Sequence, residues 1–149
     1  MRKKICMIAS SGGHFEELSQ LKILEQTYDL FWVTEKTEYQ QKADYYLSST
    51  GSNDRKLIVK LFGILRETLR FWRKEKPDAV ITTGALIAVP VCLFAKLCGK
   101  KVIYIESYAR VHNASRAGKF MYKIADLFIY QWEQLKDVYP RGVFGGSIY

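Results

Sequence analysis

Lys3-Lys4-Ile5-Cys6-Met7-Ile8-Ala9-Ser10-Ser11-Gly12-Gly13-His14-Phe15 changes its pattern half-way along, from a strand to the start of a helix. An apolar run rich in Ile and Met leads straight into a Ser-Ser-Gly-Gly turn. Beyond the turn Phe15, Leu18, Leu21 and Leu24 recur every three residues, at helical spacing. An uninterrupted apolar run reads as a strand buried on both faces, and the change of period after a tight turn reads as the helix that follows it. Strand, turn and helix in that order open a parallel α/β sheet, where ligands collect at the carboxyl edge of the strands. The Ser10–His14 turn therefore points to the working edge.

Outward from this unit the alternation continues. Tyr28 to Thr34 is β-rich and reads as the second strand. Glu35 to Tyr46 is polar and suits a short helix, and Ser48 to Asp54 has the composition of a flexible loop. A long helix is expected from Arg55 to Lys76, closed by Pro77, since the residue before a proline avoids the helical region. Ala79 to Thr83 reads as a third buried strand ending at Gly84. A helix with Pro90 in its first turn then runs to Cys98 and stops at Gly99. Val102 to Glu106 is another strand, Gly118 to Ala125 a helix, and Leu127 to Trp132 a further strand. The alternation defines an α/β fold, a Rossmann-like parallel sheet flanked by helices, with residues 1–149 as a single domain and no internal repeat.

Composition narrows the classes. At 149 residues with 48% apolar content the chain can bury a real core, and disorder is excluded. Cys6, Cys92 and Cys98 are odd in number, lie in apolar surroundings and lack metal-ligand spacing, so they read as buried free thiols of a reducing compartment. No leader is expected, because Met1 to Lys4 runs directly into a strand. The longest apolar candidate, Ala85 to Cys98, contains Pro90 and Lys96 and falls short of the about 18–20 residues a membrane-spanning helix needs. The expectation is a cytoplasmic protein, peripheral on the inner face of the membrane. A net charge of +8 favours anionic partners without choosing among them.

Four stretches carry candidate chemistry. Ser11, Gly12 and Gly13 would let backbone amides approach a phosphate at a helix start, and His14 could act there as a general base or a hydrogen-bond donor. A tight structural turn, with Glu16 and Glu17 set against the positive helix end, accounts for the same residues. Neither the full dinucleotide glycine pattern nor a Gly-Lys-Ser/Thr phosphate loop is present. In the long helix, Lys60, Arg66, Arg70, Arg73 and Lys74 surround an apolar stripe, with Phe71 and Trp72 beside them, a pattern that suits an anionic membrane as well as an ordinary solvated back. Nucleic acid is not expected, because these aromatic residues fit a packing stripe better than a base-stacking platform. Thr82, Thr83 and Gly84 end a strand before Leu86, Ile87 and Val89. A diphosphate at that turn, with a lipid chain or membrane beside it, would use both its amides and its apolar residues, and a buried connection is the alternative. Finally Glu106, Ser107, Arg110, His112 and Asn113 follow a buried strand, where an ionised Glu needs a partner or a function; a Glu106–Arg110 pair is the structural alternative.

Taken together, Ser11-Gly12-Gly13-His14, Thr82-Thr83-Gly84, Glu106-Ser107-Tyr108-Ala109-Arg110, Gly118-Lys119 with Tyr122, Ala125-Asp126 and Gln131-Trp132 resemble one family, the accessory subunit of two-component glycosyltransferases. One branch is the membrane-recruiting subunit of the UDP-N-acetylglucosamine transferase of asparagine-linked glycosylation; bacterial relatives serve capsule and exopolysaccharide assembly. The chain is also similar, more remotely, to the amino-terminal half of the peptidoglycan lipid-linked N-acetylglucosaminyltransferase. The resemblance implies the amino-terminal half of a split GT-B enzyme that binds a polyprenyl-diphosphate-linked acceptor and the membrane. A separate small α/β chain would supply the donor site for a UDP-linked galactose or N-acetylglucosamine. It implies an acceptor cleft bordered by Ser11, Gly12, Gly13, Thr83, Gly84, Glu106, Ser107 and Arg110, with His14 as the base and the segment 140–149 facing the partner. No cofactor and no metal is expected. The alternatives left open are a self-sufficient nucleotide-binding α/β enzyme and a basic membrane- or nucleic-acid-binding scaffold.

Overall fold

The computed structural model describes residues 1–38, 41–49 and 57–149. Its strands are β1 (Lys4–Ile8), β2 (Asp29–Glu35), β3 (Tyr45–Leu47), β4 (Ala79–Thr82), β5 (Lys101–Ile105), β6 (Leu127–Tyr130) and β7 (Val143–Phe144). They form one sheet in the order β3-β2-β1-β4-β5-β6-β7, and every neighbouring pair is parallel. The helices are α1 (Gly13–Ser19), α2 (Leu57–Glu75), α3 (Ala88–Leu97) and α4 (Arg116–Ile124).

Two-residue periodicity along each strand divides the core. Cys6, Ile8, Phe31, Val33, Val80, Val102, Tyr104, Phe128 and Tyr130 point to one face, where they pack with Ile64, Phe71 and Trp72 of α2, Val91 and Ala95 of α3, and Met121 of α4. Ile5, Met7, Ile81 and Ile105 point to the other and pack with Phe15 and Leu18 of α1 and with Ile148 near the C-terminus. Both faces of β1 are therefore apolar, as its sequence requires. Lys4 ties the start of β1 to its neighbours, with Nζ 3.3 Å from Asp29 and 2.9 Å from Glu75 at the end of α2.

The departures from expectation have local causes. The three-residue recurrence of leucines is not α-helical throughout: α1 ends at Ser19 and passes into a 3-10 segment, Gln20–Gln26. In a 3-10 helix side chains at i and i+3 eclipse, which is the period Leu21 and Leu24 display. The stretch expected to form a short helix ends instead in β3. Asp44 donates its amide to the Trp32 carbonyl (2.9 Å) and accepts the Trp32 amide on its carboxylate (2.7 Å), and the Tyr45 ring packs on Phe31 and Phe71. Pairing with β2 thus decides a segment whose composition is neutral. β7 has only two residues, between glycines, and lay below any sequence signal. It lies flat on β6, since a Cβ on Gly145 would stand 2.6 Å from the Ile129 side chain. Tyr39 and Gln40 of the expected short helix, and Thr50 to Lys56 with most of the predicted loop and the first residues of the predicted long helix, fall outside the described residues. Cys6 and Cys92 are buried as expected, whereas Cys98 is exposed because it caps the end of α3.

Candidate functional site

The strands end along one edge, and three of the four candidate stretches meet there. Gly12 starts α1 with φ +88°, a conformation that glycine adopts without steric cost. Its carbonyl accepts the Phe15 and Glu16 amides, each at 3.0 Å. Its own amide is engaged by Gln41 Oε1 at 2.8 Å, and Gln41 Nε2 in turn donates to Glu16 at 2.6 Å. The first turn of α1 therefore presents an acidic side chain and an occupied amide, a poor seat for a phosphate.

His14 faces the end of β4. Its Nδ1 lies 3.1 Å from the Thr83 carbonyl oxygen, and Thr83 Oγ1 donates to the His14 carbonyl at 2.6 Å. A carbonyl only accepts, so Nδ1 carries the hydrogen and the lone pair of the neutral ring is on Nε2. Gly84 closes the contact with φ +113°. A Cβ there would stand 2.9 Å from the Tyr104 hydroxyl and 3.7 Å from His14 Cε1. Gly84 N donates to Thr82 Oγ1 at 3.0 Å, and Ala85 continues the turn at φ +77°.

Glu106 is 1% exposed, and its partners are neutral. Oε1 accepts from the Ser107 amide (3.0 Å) and the Ser115 hydroxyl (2.8 Å); Oε2 accepts from the Ser115 amide (3.2 Å) and the Tyr139 hydroxyl. Ser115 is also the N-cap of α4, accepting the Gly118 amide at 2.8 Å. Burial and the bond to Glu106 push the Tyr139 hydroxyl above the ordinary phenol range. The expected structural alternative, a Glu106–Arg110 pair, does not form. Arg110 is exposed and its guanidinium donates to Asn113 Oδ1 at 3.2 Å. The edge thus brings together His14 and Thr83 in direct contact, Gly84 next to them in the turn, Glu106 and Ser107 buried behind, and Arg110 on the adjoining loop.

Glu17 and Tyr139 of this edge gave no functional signal in the sequence, and Gln131 entered only through the resemblance. Glu17, read as a helix-end charge, is buried and accepts from the Tyr108 amide (2.7 Å), Gln131 Nε2 and the Ser107 hydroxyl (3.4 Å). Burial raises its carboxyl above the usual value, against the opposing effect of these donors and of His14. Gln131 and Tyr139 complete the network. Only an acid one position from the apolar residue Leu18 could have hinted at it.

The predicted membrane helix divides differently from expectation. Phe71 and Trp72 are buried, Trp72 at 8% exposure with its ring 5.1 Å from Phe94, so neither is available to a lipid surface. Ile87 is likewise buried. The exposed apolar side chains are Ile58 (71%) and Phe62 (69%) on α2, and Leu86, Leu93 and Leu97 on and before α3. With Leu61, Leu65 and Val89 they line an apolar groove of about 580 Å3. Arg66, Arg70 and Arg73 are exposed one turn on from Phe62 and Leu69, so a basic stripe borders the groove. Lys60 is half-buried, and Lys74 stands 5.8 Å over the Tyr45 ring. Among the described residues no helix is long and apolar enough to cross a membrane, and no group of His, Cys, Asp or Glu is placed to hold a metal.

Residues 56–148 match the family model described as oligosaccharide biosynthesis protein Alg14 like. The chain belongs to that family. It is 44% identical over 179 residues to the mouse UDP-N-acetylglucosamine transferase subunit ALG14, spanning 97% of this chain and 82% of that one. It is also 44% identical over 81 residues to the human subunit, spanning 50% of this chain and 38% of that one. A Prochlorococcus marinus pyrophosphoryl-undecaprenol N-acetylglucosamine transferase is 35% identical over 134 residues, 80% of this chain and 38% of its own. Among solved structures, Acinetobacter baumannii MurG superposes with a TM-score of 0.68 at 22% identity, covering 88% of this chain and 41% of that one. Rickettsia bellii UDP-N-acetylglucosamine 2-epimerase does so with a TM-score of 0.77 at 18% identity, covering 99% and 46%. The fold is accordingly Rossmann-like α/β, the half-molecule of the GT-B architecture, and the chain spans less than half of several of these relatives.

Proposed function

We propose that this chain is the acceptor-binding, membrane-docking half of a two-chain glycosyltransferase. The enzyme would move galactose or N-acetylglucosamine from a UDP-sugar to a polyprenyl-diphosphate-linked saccharide, in bacterial capsule or exopolysaccharide assembly. One observation carries the reading. Thr83, whose carbonyl holds His14 Nδ1 at 3.1 Å, is three residues from Leu86, which lines the apolar groove. A ligand with a polar reacting head and a long apolar tail fits that adjacency, and the border of Arg66, Arg70 and Arg73 suits an anionic bilayer under the tail.

In the reaction an acceptor hydroxyl attacks the anomeric carbon of the donor sugar, the bond to UDP breaks with inversion, and the hydroxyl proton passes to a base. His14 is that base: the Thr83 carbonyl holds Nδ1–H and leaves the Nε2 lone pair for the proton. Arg110 and the turn at Thr83–Gly84 border the diphosphate. Ser11, Gly12 and Gly13 shape the rim of the cleft, while Glu106 and Ser107 hold its floor. The donor lies on a separate small α/β chain, which meets the segment 140–149.

The test is transfer to a lipid-linked acceptor by each chain alone and by the mixture. Activity is expected in the mixture only. Full turnover by this chain alone, or micromolar binding of a UDP-sugar to it by calorimetry, would overturn the split-site reading.

A further inference from the structure

Glu17 is a buried acid, 3% exposed, whose hydrogen-bond partners are all neutral. A carboxylate so placed is costly, and an apolar side chain would fill the same volume at lower cost. What the acid provides is reach across three segments. On its own helix it stands one turn from His14. It accepts the Tyr108 amide (2.7 Å) and so fixes the start of the loop that carries Arg110. Through Gln131 it reaches the end of the chain: Gln131 Nε2 donates to Glu17 and to the Glu106 carbonyl (2.9 Å), while Gln131 Oε1 accepts the Ile148 amide (2.9 Å). The same junction is closed by rings. Trp132 Nε1 donates to the Tyr108 carbonyl at 2.7 Å, and the Tyr108 ring lies 5.2 Å from that of Tyr149.

We propose that Glu17 is a positioning residue that joins the C-terminal segment to the acceptor edge, so that whatever engages residues 145–149 sets where the Arg110 loop stands relative to His14. This deepens the reading above and rests on it for the meaning of the two ends. The path runs from the Ile148 amide through the Gln131 carboxamide and the Glu17 carboxylate to the Tyr108 amide. The Gln131 carboxamide is one rigid plane whose two N–H groups hold Glu17 and the Glu106 carbonyl while its oxygen holds Ile148, so a rotation of that plane that follows Ile148 also shifts its hold on Glu17.

Amide hydrogen exchange on the chain alone tests the joint. Glu17→Ala is expected to speed exchange of the Tyr108 amide at least tenfold, with Met7 and Ile81 in the central strands unchanged as the measure of intact folding. Glu17→Gln, which keeps an acceptor oxygen, restores protection to within about threefold. Tyr149→Ala, or deletion of Ser147–Tyr149, is expected to speed Tyr108 exchange in the parent chain and to add nothing in Glu17→Ala. Unchanged Tyr108 exchange in Glu17→Ala, or strictly multiplicative effects of the two changes, would overturn the proposal. In the assembled transferase, Glu17→Ala is expected to raise the acceptor KM about tenfold with the donor KM unaltered; a purely structural role would lower kcat alone. Absence of transfer by every form, including the parent, would overturn the transferase reading, and the exchange results would still decide the joint.

Discussion

At the scale of single residues the edge separates into groups that face solvent and groups that hold them. His14 belongs to the first kind, since the Thr83 carbonyl fixes its tautomer from behind. Replacing it by Gln keeps a donor and removes the base, so kcat of the assembled enzyme is expected to fall about 10²-fold or more with little change in thermal stability. A kcat within threefold of the parent would assign the proton to another group. Gly118 belongs to the second kind. A Cβ there would stand 2.0 Å from Glu106 Oε2, 2.6 Å from the Tyr139 hydroxyl and 2.7 Å from Ser115 Oγ. Gly118→Ala must therefore push apart the cluster that satisfies Glu106, and a loss of about 3 kcal/mol in denaturant unfolding is expected. The equivalent change at Gly13, where a Cβ meets nothing within 4 Å, is the control.

At the scale of elements, α2 has two roles on two faces. Ile64, Thr68 and Phe71 face the sheet, and Ile58, Phe62 and the arginines Arg66, Arg70 and Arg73 face outward. Reversing the three arginines to Glu is expected to weaken binding to anionic liposomes at least a hundredfold, at roughly 1 kcal/mol per basic residue near the surface, with circular dichroism unchanged. Trp72→Ala is expected to do the opposite, lowering stability by about 3 kcal/mol through loss of a core ring while liposome binding per folded molecule holds. Retained liposome binding by the triple reversal would remove α2 from the docking surface. The same helix ends in Glu75, which accepts from Tyr45 and pairs with Lys4 at 2.9 Å. The Tyr45 bond, with Lys4, outweighs burial and holds the Glu75 carboxyl below its usual value of 4.5. A lowered folded value means stability present above pH about 4.5 and lost as pH falls through the folded value. Glu75→Gln is thus expected to cost about 1 kcal/mol at pH 7 and less at pH 3. Equal losses at both would show that the acid serves packing alone.

At the scale of the whole molecule the parallel sheet collects distant stretches on one edge. Residues 14, 83 and 106–110 become neighbours because β1, β4 and β5 are adjacent and point the same way. The apolar groove forms between α2 and α3, which cover the same sheet face. Much of this was legible in advance, because a parallel strand buried on both faces must be apolar, and Ile5 to Ala9, Ala79 to Ile81 and Val102 to Ile105 are. The alternation of β1, α1, β2, α2, β4, α3, β5, α4 and β6, the turn glycines and the amphipathic character of α2 followed from period and punctuation alone.

What remained illegible depended on neighbours distant in sequence. Trp72 and Phe62 both sit on an amphipathic helix, and the core around Trp72, Phe94 included, buries the first while the second stays exposed. β3 and β7 are too short to declare themselves and exist because β2 and β6 offer free edges to pair with. Glu17 looked like an ordinary helix-end acid, yet it is turned inward by donors 90 and more residues away. Local spacing determined the Rossmann-like alternation, because strand and helix periods are properties of contiguous residues. The tertiary structure alone decided which acids are buried, which aromatics face outward and what His14 leans on, because each depends on contacts that no contiguous pattern encodes.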